Sequence, residues 1–250
     1  MLKAKIKIAV FLVALIVIFS LVASFSDVKP VFCGDLKRSL PVYSVDRNDK
    51  KIAITFDCAW GDEFTEKILD EVKRFNVKCT FFAVSFWVEK YPEHVAKLSS
   101  SGVEIGTHSK THSHMNKLTE KEIEEELNYS AQAIEKITGK KVTLFRAPFG
   151  EYNDRVIDTA ARLGLTTIQW DVDSLDWKDL SASDIAARVV KKTQSGSIIL
   201  CHNNGKNTLK ALPIIFADLL SKGYEFVTVS ELLLEGDTYI DGNGRQKSGL

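Results

Sequence analysis

The 250-residue chain has no excess of charge of either sign, because 33 Lys and Arg residues balance 33 Asp and Glu residues. Without a global positive field, the composition does not favour nucleic acid as a partner. Without an acidic bias, and with 45% hydrophobic residues, it argues against a disordered chain. The sequence also has no internal repeat and no low-complexity tract. One large domain with short appendages is the organisation that fits.

Cysteines are few, and they lie at positions 33, 58, 79 and 201. An even number outside the cytoplasm can mean disulfides, but the spacing shows no small-domain disulfide framework. Cys79, in "KCTFFAV", is predicted to be a small core residue of a strand. Cys201 directly precedes His202, and strand alternation should send these two side chains to opposite faces.

The long hydrophobic run of the chain lies at its N-terminus. Residues 1–26 begin with three lysines and continue into an apolar run from Ile8 to Phe19. A positive segment followed by an apolar one predicts an export signal. The run is slightly short for a membrane span of ~20 residues, so a cleaved signal and a retained anchor both stay open. The lysines would remain cytoplasmic. We therefore expect an extracytoplasmic protein, either membrane-anchored or secreted to the cell wall.

The rest of the chain divides into three parts. Residues 27–50 are a predicted linker, residues 51–235 a predicted domain, and residues 236–250 a tail expected to be loosely ordered. In the domain, seven strand candidates alternate with segments of helical periodicity. The strands are mostly continuous apolar runs, which predicts a parallel sheet covered by helices, either open or closed as a barrel. Such sheets carry their sites at the carboxyl ends of the strands.

Five of the predicted strands are followed directly by polar or aromatic side chains. The segments are Asp57-Cys58, "GTHSKTHSHM", "FRAPFGEYN", "WDVDSLDW" and "LCHNN". A single segment of this kind would be explained by a cap or a turn. Because the carboxyl ends of parallel strands meet at one edge, five such segments predict a shared cleft.

His108 and His112 are four residues apart, a spacing that lets two imidazoles face one metal ion from a single helical turn. The alternative is a pair of hydrogen-bonding surface histidines. Three of the five histidines fall within seven residues after a predicted strand, which favours a metal site. His114 cannot share the face of His112, so we expect it to be a bystander.

Acid–base chemistry is suggested by three further strand-end residues. Asp173 and His202 can form a carboxylate–imidazole pair, in which the carboxylate fixes the tautomer and raises the pKa of the imidazole. Arg146 can lower the pKa of a neighbouring carboxylate and orient it, with a simple ion pair as the alternative. Asp171 and Asp176 are expected to form loop hydrogen bonds rather than to act in catalysis.

Aromatic residues at these strand ends suit a sugar, since aromatic faces match the C–H faces of pyranose rings. Trp170 and Trp177 can belong either to the core or to the floor of a sugar site. Trp60 and Pro148 lie in the segments after the first and fourth strands, and we expect both to contact substrate.

Together these segments resemble the polysaccharide deacetylase family, the NodB-homology domain of carbohydrate esterase family 4. The family's five motifs occur in order over about 51–233, as "TFD", H-S-x-x-H, R-x-P-F-G, D-x-x-D-W and "LCH". The resemblance implies a deformed (β/α) barrel with about seven parallel strands. It also implies metal-dependent removal of acetyl groups from N-acetylated sugars.

The resemblance gives expected roles to individual residues. Asp57 resembles the catalytic base and Arg146 its orienting partner. His108 and His112 resemble two metal ligands, and the backbone N–H of Phe149 would help to hold the oxyanion.

The remaining motifs supply a proton donor and a pocket wall. Asp173 resembles the residue that tunes His202, the general acid. Trp177 and Leu200 resemble residues of the acetyl-pocket wall.

Cys58 is where the sequence departs from the family, which usually has there a second Asp that is the third metal ligand. The pattern T-F-D-x-x-W-G resembles a branch associated with spore formation. Three interpretations stay open. A thiolate completes a Cys-His-His site, which favours Zn²⁺; or Cys58 packs away and Asp57 or water fills its place; or the metal site has decayed.

Two functions follow from these interpretations. The first is an exported deacetylase of cell-wall or spore-wall glycan, either peptidoglycan or chitin-like, that uses a divalent metal such as Zn²⁺ or Co²⁺. The second is an inactive glycan-binding wall protein with the same fold. A zinc amidase or peptidase fits less well because H-E-x-x-H is absent from the sequence. We expect a monomer.

Overall fold

The computed structural model describes residues 38–249. The predicted export signal and the first part of the predicted linker lie outside the described residues, and both stay predictions. A compact unit begins at Ser39. Within the described range, no helix combines the length and the apolar character that crossing a membrane requires.

Parallel strands form the main sheet, and they enclose the interior of a curled half-barrel. The strands in spatial order are β6 (Thr166–Thr167), β5 (Leu144–Phe145), β4 (Glu104–Thr107), β3 (Thr80–Ala83), β2 (Lys51–Cys58), β8 (Ile198–His202) and β7 (Val172–Asp173). An eighth, β9 (Glu225–Phe226), pairs with the start of β2. Every pairing in this sheet is parallel. The prediction of a deformed (β/α) barrel is confirmed.

Helices cover the outer face of the sheet. They are α1 (Thr65–Arg74), α2 (Ser85–Lys90), α3 (Pro92–Ser100), α4 (Glu120–Thr138), α5 (Asp154–Arg162), α6 (Ala182–Lys192), α7 (Thr208–Ser221) and α8 (Val229–Leu232). The longest helix, α4, begins with a capping box formed by Thr119 and Glu122. It ends at Gly139, whose φ of 65° is the left-handed conformation that glycine adopts at little cost.

The central strand β2 is buried along nearly its whole length, and its side chains alternate between two environments. Ile54, Phe56 and Cys58 pack against the helices in the larger of two apolar clusters, which we call the helix-side core. Thr55 and Asp57 point to the opposite face, where both are hydrogen-bonded to Arg146. Alternation therefore sends the two neighbours Asp57 and Cys58 to opposite sides of the sheet.

The C-terminal residues correct one expectation, because they are ordered rather than loose. Strands β10 (Thr238–Ile240) and β11 (Arg245–Ser248) form an antiparallel hairpin, and β11 pairs in parallel with β1 (Ser44–Val45). In the hairpin turn, Asp241 Oδ1 accepts from the backbone N–H groups of Asn243 at 2.9 Å and Arg245 at 3.0 Å. The predicted linker thus contributes a strand that orders the predicted tail.

Candidate active site

One cavity of about 600 Å³ opens at the carboxyl ends of the strands. The segments that follow five predicted strands all reach it, as the shared-cleft hypothesis requires. Its lining residues are Asp57, Ala59, Trp60, His108, His112, Phe149, Gly150, Trp170, Asp173, Trp177, Leu200, His202 and Asn204. Three predicted site residues lie behind the lining instead: Cys58, Arg146 and Pro148.

A buried ion pair lies at one wall of the cavity, with Asp57 in the lining and Arg146 behind it. Arg146 Nη1 donates to Asp57 Oδ1 at 2.9 Å and to the Thr55 hydroxyl at 2.7 Å, while Nη2 donates to the carbonyl of Gln169 at 3.1 Å. The guanidinium also lies 4.2 Å from the ring centroid of Phe82. Burial is the largest single influence on the pKa of the Asp57 carboxyl, and it raises that pKa. The charge and hydrogen bond of Arg146, together with smaller contributions from His108 and His202, outweigh burial, and the pKa is lowered. Asp57 is therefore held as a carboxylate.

His108 and His112 come together above this pair, with ring centroids 5.0 Å apart. His108 Nδ1 donates to the carbonyl of Arg146 at 2.8 Å, which leaves Nε2 unprotonated in the neutral ring, 3.7 Å from Asp57 Oδ2. Burial lowers the pKa of His108, and it lowers the pKa of His112 to about 4 with a further contribution from His108. Both imidazoles are thus neutral donors, the form that a metal ion binds.

The segment that carries these histidines is a loop and not a helical turn. Ser109 and His112 have positive φ values of 76° and 58°. The Ser109 hydroxyl accepts from the His112 N–H at 3.0 Å, which closes the loop. The four-residue spacing therefore brings the imidazoles together through a tight turn.

The third ligand that the resemblance implies is not supplied by Cys58. Its side chain is fully buried in the helix-side core, and burial raises the pKa of its thiol well above 9.0. Across residues 38–249, no three His, Cys, Asp or Glu side chains are arranged to hold a metal ion. His108 and His112 fit two positions of the implied metal site, and the rest of the described chain does not complete it. The prediction of Cys58 as a metal ligand is corrected by its position on β2.

A second carboxylate–cation pair lies on the other wall of the cavity. His202 Nδ1 donates to Asp176 Oδ1 at 2.7 Å. Asp176 Oδ2 accepts from the His202 N–H at 2.8 Å and from the Thr208 hydroxyl at 2.6 Å. Burial is the largest single influence on the pKa of His202, and it lowers that pKa. The hydrogen bond and charge of Asp176, together with smaller contributions from Asp57 and Asp173, outweigh burial, and the pKa is raised. The pair therefore favours the protonated imidazole.

Asp176, not Asp173, is therefore the partner of His202. Asp173 Oδ1 instead accepts from the Leu175 N–H at 2.8 Å, although Asp173 still lines the cavity. Leu175 has a left-handed φ of 56°, which turns the chain so that Asp176 faces back to His202. A left-handed leucine has no signature in the sequence. The prediction that Asp173 pairs with His202 is therefore wrong, and the expectation that Asp176 forms loop hydrogen bonds missed its pairing with the imidazole.

Aromatic side chains surround the mouth of the cavity. Trp60, Phe149 and Trp177 are 58%, 56% and 59% exposed, and all three line the opening. The backbone next to Trp60 is held in place, because the carbonyl of Gly61 accepts from Trp87 Nε1 at 2.7 Å and from Asn203 Nδ2 at 2.9 Å. The Trp60 ring meets that of His112 with centroids 4.8 Å apart. Exposed aromatic faces fixed around a concave site suit a sugar ring.

Comparison with known proteins gives consistent matches to one family. The family model described as polysaccharide deacetylase matches residues 44–168. The chain is 36% identical over 196 residues to a peptidoglycan-N-acetylglucosamine deacetylase of Bacillus cereus. The aligned region covers 76% of this chain and 92% of that protein. It is 34% identical over 211 residues to the uncharacterized protein YlxY of Bacillus subtilis, covering 84% of this chain. The chain spans 66% of the length of YlxY.

Solved structures show the same similarity. BA3943 of Bacillus anthracis, described as a pseudoenzyme of carbohydrate esterase family 4, superposes with a TM-score of 0.74 at 33% identity, over 77% of this chain and 68% of that one. A mutant of BA3943, described as having restored enzymatic activity, superposes with a TM-score of 0.75 at 34% identity, over 77% of this chain and 70% of that one.

Proposed function

Because the chain belongs to the polysaccharide deacetylase family, carbohydrate esterase family 4, we propose that it hydrolyses the N-acetyl amide of amino sugars in peptidoglycan. The observation that carries the proposal is the meeting of two acid–base groups, Asp57 and the His202–Asp176 pair, in one cavity. The relatives named as peptidoglycan deacetylases support the choice of substrate. Since peptidoglycan lies outside the cytoplasm, we also propose that the protein is exported, with residues 1–26 as the signal.

The two groups have complementary protonation states for this reaction. Asp57, ionised beside Arg146, can accept the proton of an attacking water molecule, and His202, protonated beside Asp176, can give a proton to the leaving amine. The tetrahedral oxyanion needs a fixed donor, and the backbone N–H of Phe149 is the candidate. The aromatic rim, formed by Trp60, Phe149 and Trp177, would hold the sugar while its acetyl group enters the cavity.

A divalent metal, with zinc as the predicted ion, belongs to the proposal only in part. His108 and His112 supply two neutral nitrogen donors, and water would have to fill the remaining positions. Fewer protein ligands imply weaker binding of the metal ion. The proposed roles of Asp57 and His202 are proton transfers by the side chains themselves.

A second candidate is favoured by the position of Cys58. Its burial in the helix-side core leaves an incomplete metal site, and the similar BA3943 is described as a pseudoenzyme. In this candidate function the cavity and its aromatic rim bind N-acetylated glycan without cutting it.

Acetate release and glycan binding, measured side by side, separate the two candidates. The purified protein and its Cys58→Asp variant are incubated with peptidoglycan fragments, with Zn²⁺ or Co²⁺ and with a chelator. Acetate release by the unmodified protein supports the deacetylase. Fragments bound by the unmodified protein without acetate release support the binding protein, whether or not Cys58→Asp releases acetate. Fragments neither bound nor cut by either protein contradict both.

A further inference from the structure

Phe149 has an unusual backbone conformation for its residue type. Its φ and ψ are 61° and 5°, in the left-handed region that bulky residues seldom adopt. Such conformations persist when the surroundings hold them in place. The side chain of Phe149 is more than half exposed, so burial in the core does not hold it. Backbone hydrogen bonds from Gly150 to Ala147 and from Glu151 to Pro148, both 3.1 Å, close the turn, and side-chain contacts at the surface of the loop add to them.

Two histidines enclose the ring of Phe149. His112 meets it edge to face, with centroids 4.6 Å apart and an interplanar angle of 80°. His114 stacks on it, with centroids 4.4 Å apart and an interplanar angle of 17°. His112 lines the cavity, whereas His114 is not one of the lining residues and so lies outside the reacting centre.

His114 also contacts the chain beyond Phe149, at Glu151. Its Nδ1 is hydrogen-bonded to Glu151 Oε2 at 2.9 Å, and the Glu151 N–H donates to the carbonyl of Pro148 at 3.1 Å. His114 is itself anchored, because its carbonyl accepts from the Lys117 N–H at 2.9 Å and the next residue, Met115, is fully buried. A fixed imidazole thus contacts the loop through the ring of Phe149 and through Glu151.

We propose that His114 is a positioning residue, which fixes the left-handed conformation of Phe149 and with it the direction of the Phe149 N–H. The inference rests on the proposed function, in which that N–H binds the oxyanion. A donor aimed at developing charge must be correctly placed, since small displacements remove much of its effect. His114 acts through Phe149 and touches neither the sugar nor the reacting water.

The test compares three variants with the unmodified full-length protein. His114→Ala removes both the stack and the hydrogen bond, His114→Phe restores the stack alone, and Glu151→Ala removes the hydrogen bond alone. His94→Ala, on helix α3 and away from the cavity, is the matched control. Steady-state acetate release gives kcat and KM. Hydrogen exchange of the Gly150 amide, which donates to the Ala147 carbonyl at 3.1 Å across Phe149, reports on the loop independently of activity.

We expect His114→Ala to lower kcat about tenfold with little change in KM, a fraction of the ~10²–10³ that losing a whole oxyanion donor costs. His114→Phe should recover most of kcat, and Glu151→Ala should lie between the two. Exchange of the Gly150 amide should be fastest in His114→Ala, intermediate in Glu151→Ala and slowest of the three in His114→Phe, with His94→Ala unchanged.

Three outcomes would overturn the proposal: kcat of His114→Ala within twofold of the unmodified protein, a change confined to KM, or equal exchange of the Gly150 amide in all variants. If the unmodified protein releases no acetate, the proposed function fails. The exchange rates then decide about His114 alone, since faster exchange in His114→Ala than in His114→Phe still supports its positioning role.

Discussion

The two carboxylate–cation pairs of the cavity use the same kind of contact at different degrees of burial. Asp57 bonds Arg146 at 2.9 Å, and Asp176 bonds His202 at 2.7 Å. The side chain of Arg146 is 0% exposed, whereas that of His202 is 26% exposed. Arginine stays charged at any accessible pH, but histidine can exchange a proton. One wall of the cavity therefore carries a fixed charge, that of Arg146 beside Asp57, and we call it the fixed-charge wall. The other carries a solvent-accessible titrating group, His202 beside Asp176, and we call it the titrating wall.

The fixed-charge wall should show the largest effect on chemistry. Asp57→Asn keeps the shape of the side chain and removes its basicity, so we expect acetate release to fall by about 10²–10⁴-fold. Asp70→Asn, on an exposed position of helix α1, is the control and should leave the rate unchanged. Acetate assays on peptidoglycan fragments check this, and full activity in Asp57→Asn would remove Asp57 from the role of base.

The same wall should also dominate stability. Arg146→Met leaves Asp57 buried without its cation, and breaking a buried pair in this way costs about 3–5 kcal/mol of the free energy of unfolding. The pKa of Asp57 should rise at the same time, because the charge that lowers it is gone. Arg74→Met, at a side chain that is 57% exposed, should change stability by less than ~0.5 kcal/mol. Urea unfolding curves measure both, and equal losses would contradict a structural role for the buried pair.

Breaking the titrating wall should have a smaller effect, and one that depends on pH. Asp176→Asn removes the carboxylate charge, so the pKa of His202 should fall from its raised position. A raised pKa means that the pair adds stability below the unfolded pKa of histidine, ~6.5, and loses it as pH rises through the folded pKa. Asp176→Asn should therefore destabilise the protein by about 1.5–3 kcal/mol at pH 5–6 and by less at pH 9.

Asp173→Asn provides the matched control for that change. Asp173 influences His202 only through a weaker electrostatic interaction, so the pKa of His202 should fall less than in Asp176→Asn. NMR titration of His202 measures both. A larger decrease in Asp173→Asn would restore the original assignment of Asp173 as the tuning residue.

The difference between Asp173 and Asp176 shows where sequence reasoning stops. The motifs correctly placed most of the lining residues, because the carboxyl ends of parallel strands must meet. Choosing between two aspartates three positions apart requires the backbone direction at Leu175, which a leucine does not reveal. The C-terminal hairpin was missed for a related reason. Its short polar strands gain their order from pairing with distant residues near Ser44.

The position of the Cys58 side chain could have been predicted from the sequence. Strand alternation predicts that Cys201 and His202 face opposite sides of the sheet, and the structure places Cys201 in the helix-side core and His202 at the cavity. The same rule applied to Asp57 and Cys58 sends the thiol to that core. The family position, where an Asp is usual, favoured a ligand instead.

The smallest expected effect is therefore on metal content, when Cys58 is changed to Ser. A thiolate ligand would lose metal stoichiometry on this change, but a thiol packed on the far face of β2 should leave it the same. The free energy of unfolding should still fall by about 1–3 kcal/mol, because Cys58→Ser buries a hydroxyl among apolar side chains. The acceptor that Cys58 Sγ has, the carbonyl of Phe56, lies 4.0 Å away, which is too far for a good hydrogen bond to a hydroxyl. Elemental analysis and thermal unfolding check the two expectations separately. Since His108→Ala removes one of the two nitrogen donors, it should reduce metal content where Cys58→Ser does not, and the reverse order would place the metal on the other face of the strand.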